Sequence, residues 1–359
     1  MPFRAILSAS FLKQNRNIKE DEMEYEKFLE TVQERMVSFL PSEYSNAQVS
    51  IHQVMKNNDT ALDAVVIRNG QESMAPQIYL AELFADHQNG MPMDNVLQTI
   101  AQLFQENHKP EIPDVATIIT DIEKVKERLI VQLINKENNQ ERLTHTPHWD
   151  MENTDLTAVL RVELSTADHH TATILVTDNI MSSWKTDADM LYQQALSNTI
   201  ERSPARAASM FQLICSMQGG SSVWQEIQDF KMEPYEQYVL SNSSTCHGAS
   251  VLLYPDVLDQ LAQNAGENLF ILPSSIHELI LMRDNGEMSA GELQAMVACV
   301  NQEGVEPQEV LSDEVYYYDK DEHSLTMATS KEHTAALKSH LELSVSPEPV
   351  QETEYEREA

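Results

Sequence analysis

The stretch EYEKFLETVQERMVSFLPSEYSNAQVSIHQVMKNNDTALDAVVIR, residues 24–68, changes its hydrophobic period halfway along. Up to Leu40, apolar Tyr25, Phe28, Leu29, Val32, Met36, Val37 and Leu40 return at intervals of three and four residues, which places them on one face of a helix. Pro41 stops it, because proline cannot continue a helical hydrogen-bond ladder. Two strand-like runs follow at 49–54 and 62–67, and the turn formers Asn57, Asn58 and Asp59 between them predict a hairpin. Residues 77–84 can extend the sheet or open a helix. Residues 93–104, with Val96, Ile100, Leu103 and Phe104 on one face, predict a second amphipathic helix. Helix, hairpin and helix together predict an N-terminal α+β domain over 23–110.

Outward from that unit, Pro110 and Pro113 mark a boundary. Apolar Ile118, Ile119, Ile122, Val125, Leu129, Ile130 and Leu133 then predict one or two helices across 115–135, followed by a polar connector to Asp155. The segment 111–155 is thus read as a helical bridge and connector. Runs at 156–164 and 172–177 predict a second hairpin around the polar turn Asp168 to His170, with helices at 178–184 and 187–199. Residues 172–184 and 249–261 echo each other as strand, turn and helix entry, which suggests two similarly built units. The irregular 201–237, including Gly219-Gly220-Ser221-Ser222, reads as a loop-rich excursion over the sheet. Further strands are expected at 238–241, 250–254 and 270–272, helices at 257–264 and 291–300, and a closing hairpin at 315–319 and 324–327. Ser275 with Glu278 and Ser289 with Glu292 both have capping-box spacing. The fold class is therefore α+β: an N-terminal helix-hairpin-helix domain followed by a larger mixed sheet and helix domain at 156–342.

The ends read differently. Arg4, Lys13, Arg16 and Lys19 stand in the first 19 residues without an acidic side chain, so 1–22 reads as a disordered basic extension rather than a secretory leader. Residues 343–359 lack any hydrophobic period and read as a disordered acidic tail.

Charge narrows the function. The 359 residues carry 57 acidic against 24 basic side chains, a formal net charge of −33, and residues 251–359 alone hold 22 acids and 5 bases. A phosphate backbone is a poor direct ligand for such a surface. No apolar run reaches the roughly 18 residues of a membrane span. Cys215, Cys246 and Cys299 are odd in number and lack CxxC spacing, which fits structural thiols in a reducing cytosol. With 9 glycines and neither G-x-G-x-x-G nor a P-loop, dinucleotide and P-loop chemistry are disfavoured and no cofactor is implied.

The metal-like cluster is His145-Thr-Pro-His148-Trp-Asp150, two imidazoles and a carboxylate, to which His169 and His170 could add ligands from the hairpin turn. Cys246-His247 and the group Ser274, Ser275 and His277 contain nucleophile and base types. Adjacent side chains point apart, however, and no G-x-S-x-G surrounds a serine. Most of the methionines, Met36 and Met190 among them, are expected in the core, and of Tyr316-Tyr317-Tyr318 one or two rings should pack while the other faces water.

YEKFLETVQERMVSFLPSEY, VSIHQVMKNNDTALDAVVIR and APQIYL, then VKERLIVQLINKENNQERL, THTPHWDMENTDLTAVLRVEL, NLFILPSSIHELILM and LSDEVYYYD, resemble in order and spacing an uncharacterised domain-of-unknown-function family of cytosolic proteins from gut Clostridia. The resemblance spans about 23–327. It implies a bacterial cytosolic setting and a start near Met23, and it supplies no catalytic residues. The expected role is a non-enzymatic binding or interaction module whose partner is a protein with a basic surface. Two alternatives stand beside it: a nucleic-acid mimic that inhibits a DNA-binding protein, and a metal-dependent hydrolase using His145, His148 and Asp150.

Overall fold

The computed structural model describes residues 18–70, 75–107, 115–167, 170–216, 222–273 and 275–330. Most of the basic extension, Pro110, Pro113, the turn residues Asp168 and His169, Gly219 to Ser221, Ser274 and the acidic tail lie outside the described residues.

Helix α1 (Ile18–Arg35) starts inside the segment expected to be an extension, because a periodic pattern marks a buried face and not where the helix begins. It leads through a 3-10 turn at Met36–Phe39 to the antiparallel hairpin β1 (Gln48–Met55) and β2 (Ala61–Arg68), paired from Gln48 with Arg68 to Met55 with Ala61. Asn58 and Asp59 take left-handed φ at the tip. Residues 77–84 do both things open to them: β3 (Gln77–Tyr79) pairs with β2, and α2 (Ala81–Gln88) follows. Phe28, Val32 and Met36 pack with Val65 and Ile67 of β2 and with Val96, Ile100 and Phe104 of α3 (Met93–Asn107) in one buried cluster.

After the short helices α4 (Val115–Thr120) and α5 (Ile122–Lys126), the expected helical bridge gives way to a strand, β4 (Leu129–Asn135). LIVQLIN is buried along almost its whole length, and a strand apolar on both faces has no alternation to tell it from a helix turn. The polar connector likewise holds structure, α6 (Gln140–Leu143) and β5 (His148–Asp150). Then β6 (Leu156–Ala167) pairs with β4 along one edge, and with β5 and β7 (His170–Leu175) along the other, which confirms the second hairpin.

Helices α7 (Asp178–Trp184) and α8 (Ala188–Arg202) pack on this four-stranded sheet. The outer edge of β4 is closed by side chains: Thr199 Oγ1 accepts from the Val131 amide (3.0 Å), while Ser250 Oγ accepts from the Leu133 amide and donates to the Val131 carbonyl, both at 3.3 Å. These bonds take up backbone groups that another strand would need for pairing along this edge.

The third sheet is antiparallel, in the order β14 (Ser324–Met327), β13 (Tyr316–Asp319), β11 (Leu269–Leu272), β12 (Leu279–Arg283), β10 (Tyr238–Asn242), β8 (Ala205–Ser209) and β9 (Gln225–Glu226). Part of the expected excursion belongs to it: β8 (Ala205–Ser209) pairs with β10 (Tyr238–Asn242), with α9 (Met210–Ser216) and β9 (Gln225–Glu226) between them in sequence. Residues expected as a strand at 250–254 form instead a 3-10 helix, Gly248–Leu253, ahead of α10 (Val257–Ala265), so the echo of 172–184 is one of composition only. Next comes β11 (Leu269–Leu272). Ser275 caps no helix. Its Oγ accepts from the His277 amide at 3.0 Å, closing a turn, and the apolar run becomes β12 (Leu279–Arg283). Ser289 does form the expected capping box with Glu292 at the start of α11 (Ala290–Gly304).

The closing hairpin, β13 (Tyr316–Asp319) and β14 (Ser324–Met327), forms as expected. All three tyrosines of β13 are nevertheless buried, since layers lie over both faces of the strand and Asp155, Asp284 and Asp259 accept the three hydroxyls. Met190 is 67% exposed on α8, against its expected place in the core. Cys215 and Cys299 are exposed, so they are not packed structural thiols, and none of the three cysteines is in a disulfide.

Candidate functional site

The polar centre of the molecule lies where β10 ends. Beyond Asn242 the chain doubles back through a loop that side chains lock from within. Asn242 Nδ2 donates to the Cys246 carbonyl (3.0 Å), Ser244 Oγ donates to Asn242 Oδ1 (2.9 Å), and the Cys246 amide donates to Ser244 Oγ (3.3 Å). Thr245 and His247 both adopt left-handed backbone angles, φ 54° and 52°, which only a well-determined loop sustains in non-glycine residues.

This turn lays the His247 ring against His277 from the segment before β12, centroids 5.8 Å apart and planes 17° from parallel. The His247 amide donates to His277 Nδ1 at 3.2 Å. An accepting Nδ1 carries no hydrogen, so the neutral His277 holds its proton on Nε2, which faces Glu309 Oε1 at 3.8 Å. Burial drives the His277 pKa down to about 4. Burial, then the charges of Arg161 and His277, hold His247 well below the ordinary value, and its Nδ1 is shut off from solvent with no partner. Both imidazoles are neutral at pH 7.

Carboxylates gather on the His277 side. Glu278 is pushed up to about 7 by burial and then by the charge of Glu309. Burial also raises Glu309 and Glu306, and both feel Glu82 of α2. On the other side stands Arg161 of β6, whose Nε donates to Thr173 Oγ1 (2.6 Å) and Nη1 to Gln132 Oε1 (3.1 Å). Burial, then the nearby charge of Arg142, lower its pKa to about 10, with Cys246 acting in the opposite sense. A neutral imidazole pair thus stands between a group of carboxylates and a buried guanidinium, an arrangement suited to recognising charge of either sign.

The metal-like cluster is placed differently. His148 and Asp150 lie two apart on β5, exposed and on one face. His148 Nδ1 hydrogen-bonds the Thr146 carbonyl at 2.9 Å. Asp150 is partly desolvated, yet its ion pair with Lys136 (3.1 Å) keeps its pKa below the usual range. His145 is exposed, and its carbonyl accepts from the Asp178 amide at 3.0 Å. His170 opens β7, while His169 lies outside the described residues. Among the described residues no group of three or more His, Cys, Asp or Glu is arranged to hold a metal ion.

Two groups picked out in the sequence by residue type, Cys246-His247 and Ser275-His277, do meet. They meet across 30 residues, as ring on ring, rather than as neighbours. Arg161, Gln132 and Glu309 were not foreseen. Arg161 did leave a trace, as the one cation inside the mostly apolar run LTAVLRVEL. Glu309 left none among 57 acids.

These features define a mixed α/β protein of antiparallel sheets and helices, with a polar centre built from several distant segments. The chain belongs to a family of unknown function, DUF5688, which matches residues 25–320. No curated protein and no solved structure matches it. Among the described residues no helix is long and apolar enough to cross a membrane.

The state of Glu278 has a measurable consequence. Its folded pKa of about 7 exceeds its ordinary 4.5, so the folded protein holds a proton that the unfolded chain has released. Its contribution to stability therefore falls as pH rises from 4.5 to 7 and is level above that. Glu278→Gln, which mimics the protonated carboxyl, should match the native protein near pH 4.5 and be more stable by about 2 kcal/mol at pH 8. His277 acts in the opposite direction, losing stability as pH falls from 6.5 toward 4, but does so in both proteins and cancels in their difference. Urea titrations of both proteins at the two pH values measure the gap, and a gap independent of pH would refute the assignment.

Proposed function

We propose that the protein is a non-enzymatic binding module, working in a reducing cytoplasm, that engages a partner protein carrying a basic surface. The observation that carries this reading is the convergence of Glu82, Glu278 and the neighbours Glu306 and Glu309 from three segments, with no lysine or arginine in an ion pair with any of them among the described residues. Carboxylates held together in this way repel one another, and a partner's lysine or arginine relieves that repulsion. The segments that carry these carboxylates are also tied together by hydrogen bonds. Asn58 Nδ2 donates to the carbonyls of Pro307 (2.8 Å) and Val310 (2.7 Å), Asn57 Nδ2 to that of Gln308 (3.1 Å), and the Ile276 amide to that of Glu309 (2.8 Å). A preorganised site loses little entropy on binding. In this reading the group of carboxylates is shared between an N-terminal helix-hairpin-helix domain at 23–110, supported by its common core, and the larger domain at 156–342.

The test compares two triple variants of equal net charge: Glu82→Gln, Glu306→Gln and Glu309→Gln in the group of carboxylates, and Glu30→Gln, Glu34→Gln and Glu322→Gln on exposed positions elsewhere. Binding of basic proteins recovered from the host is measured against salt concentration. The first variant should lose about tenfold in affinity and flatten the salt dependence, while the control stays within about twofold. Equal losses in both, or binding insensitive to salt, would defeat the proposal.

A further inference from the structure

We propose that Arg161 and His247 form the core of a second site, for a small ligand carrying an oxyanion, a phosphate or a carboxylate. A guanidinium stays charged in a protein interior, and buried charges are ordinarily paired. Arg161 is not. Its hydrogen-bond partners are the neutral Thr173 and Gln132, and the charges that act on it are those of Arg142 and Cys246, with no Asp or Glu among them.

The second observation is independent. His247 Nδ1 is sealed from solvent and has no hydrogen-bond partner. A buried nitrogen left so costs about 1–3 kcal/mol, which a bound acceptor would recover.

Backbone geometry joins the two. Gln132, which holds Arg161, is flanked in β4 by Val131 and Leu133, whose carbonyl and amide both bond Ser250 Oγ. The Ser250 amide in turn donates to the His247 carbonyl at 3.1 Å. His247 thus lies one turn from the strand position that positions the guanidinium. An oxyanion lodged there would accept from the remaining guanidinium N–H groups and from the His247 ring in its Nδ1–H form. Arg161 presents a planar fork suited to two oxygens, and a carboxylate and a phosphate share that geometry.

The probe is inorganic phosphate, titrated into the full chain at constant ionic strength with chloride as the replaced ion, so that general screening of the acidic surface cancels. A ligand of the folded state raises the unfolding temperature saturably. The same titration should move the His247 ring resonances saturably, and parallel titrations with sulfate and acetate separate a phosphate-selective site from a carboxylate-selective one. Arg161→Gln should weaken the response about tenfold or more, while Arg35→Gln, at an exposed ion pair with Asp94, leaves it unchanged. If Arg161→Gln fails to fold, the ring resonances of the native protein decide alone. No saturable response to any of the three anions, or an undiminished one in a folded Arg161→Gln, overturns the proposal.

Discussion

Gly248→Ala is expected to cost about 3 kcal/mol or more and to dismantle the polar centre with it, because an added methyl group there has nowhere to go. A β-carbon at Gly248 would lie far inside contact distance of Ser241 Oγ and of the His277 carbonyl oxygen. Neither can swing aside cheaply. The carbonyl belongs to the backbone, and Ser241 Oγ, 1% exposed in β10, donates to that same carbonyl at 2.7 Å. Accommodation therefore requires the turn to lift from the sheet, breaking the Ser241 bond, the His247 amide bond to His277 Nδ1 and the ring contact together. Three results should coincide: a lowered urea midpoint, loss of the pH-dependent gap produced by Glu278→Gln, and loss of the phosphate response of the His247 ring. A variant with the native midpoint would mean that the loop packs on β10 less closely than described.

The close approach at Gly248 also shows where sequence reading stops. Local signals carried far: the change of period at residues 24–68 gave the first helix and hairpin, and Ser289 with Glu292 gave a real helix start. The same spacing misled at Ser275 and Glu278, because a hydroxyl that can cap a helix can equally close a turn into a strand. β4 is hidden from sequence for a different reason. Its burial is imposed by α8 on one side and the 3-10 helix at Gly248–Leu253 on another, neither of which LIVQLIN itself encodes. The site is further from view still. Arg161, Gln132, His247, His277 and Glu309 belong to separate segments, and only the stacking of sheets gives them common neighbours. Residue type could nominate His247 and His277, but not their contact.

Asp155→Ala should be the most damaging single change, costing about 4 kcal/mol by urea denaturation. Asp155 stands just ahead of β6 and accepts three hydrogen bonds, from Tyr316 Oη (2.5 Å), Asn135 Nδ2 (2.6 Å) and Ser312 Oγ (2.7 Å). All three donors come from buried residues, so removing the carboxylate strands each of them without water. Such a group costs about 1–3 kcal/mol when left unsatisfied, and the sum exceeds the roughly 1 kcal/mol expected for Tyr316→Phe, which removes one donor and leaves Asp155 two others. Asp155→Asn should fall between the two, since its single amide oxygen keeps part of the accepting capacity. The penalty is also architectural. Asn135 ends β4 in the four-stranded sheet and Tyr316 begins β13 in the seven-stranded one, so one carboxylate pins the two sheets at their shared margin. Leu133, Leu156 and Ala158 continue that junction into the apolar core, packed in one cluster with Leu240, Leu281 and Tyr316. The variant should therefore still unfold in one transition, shifted to lower urea and not split in two. A loss under about 1 kcal/mol would show that the sheets are joined by apolar packing alone.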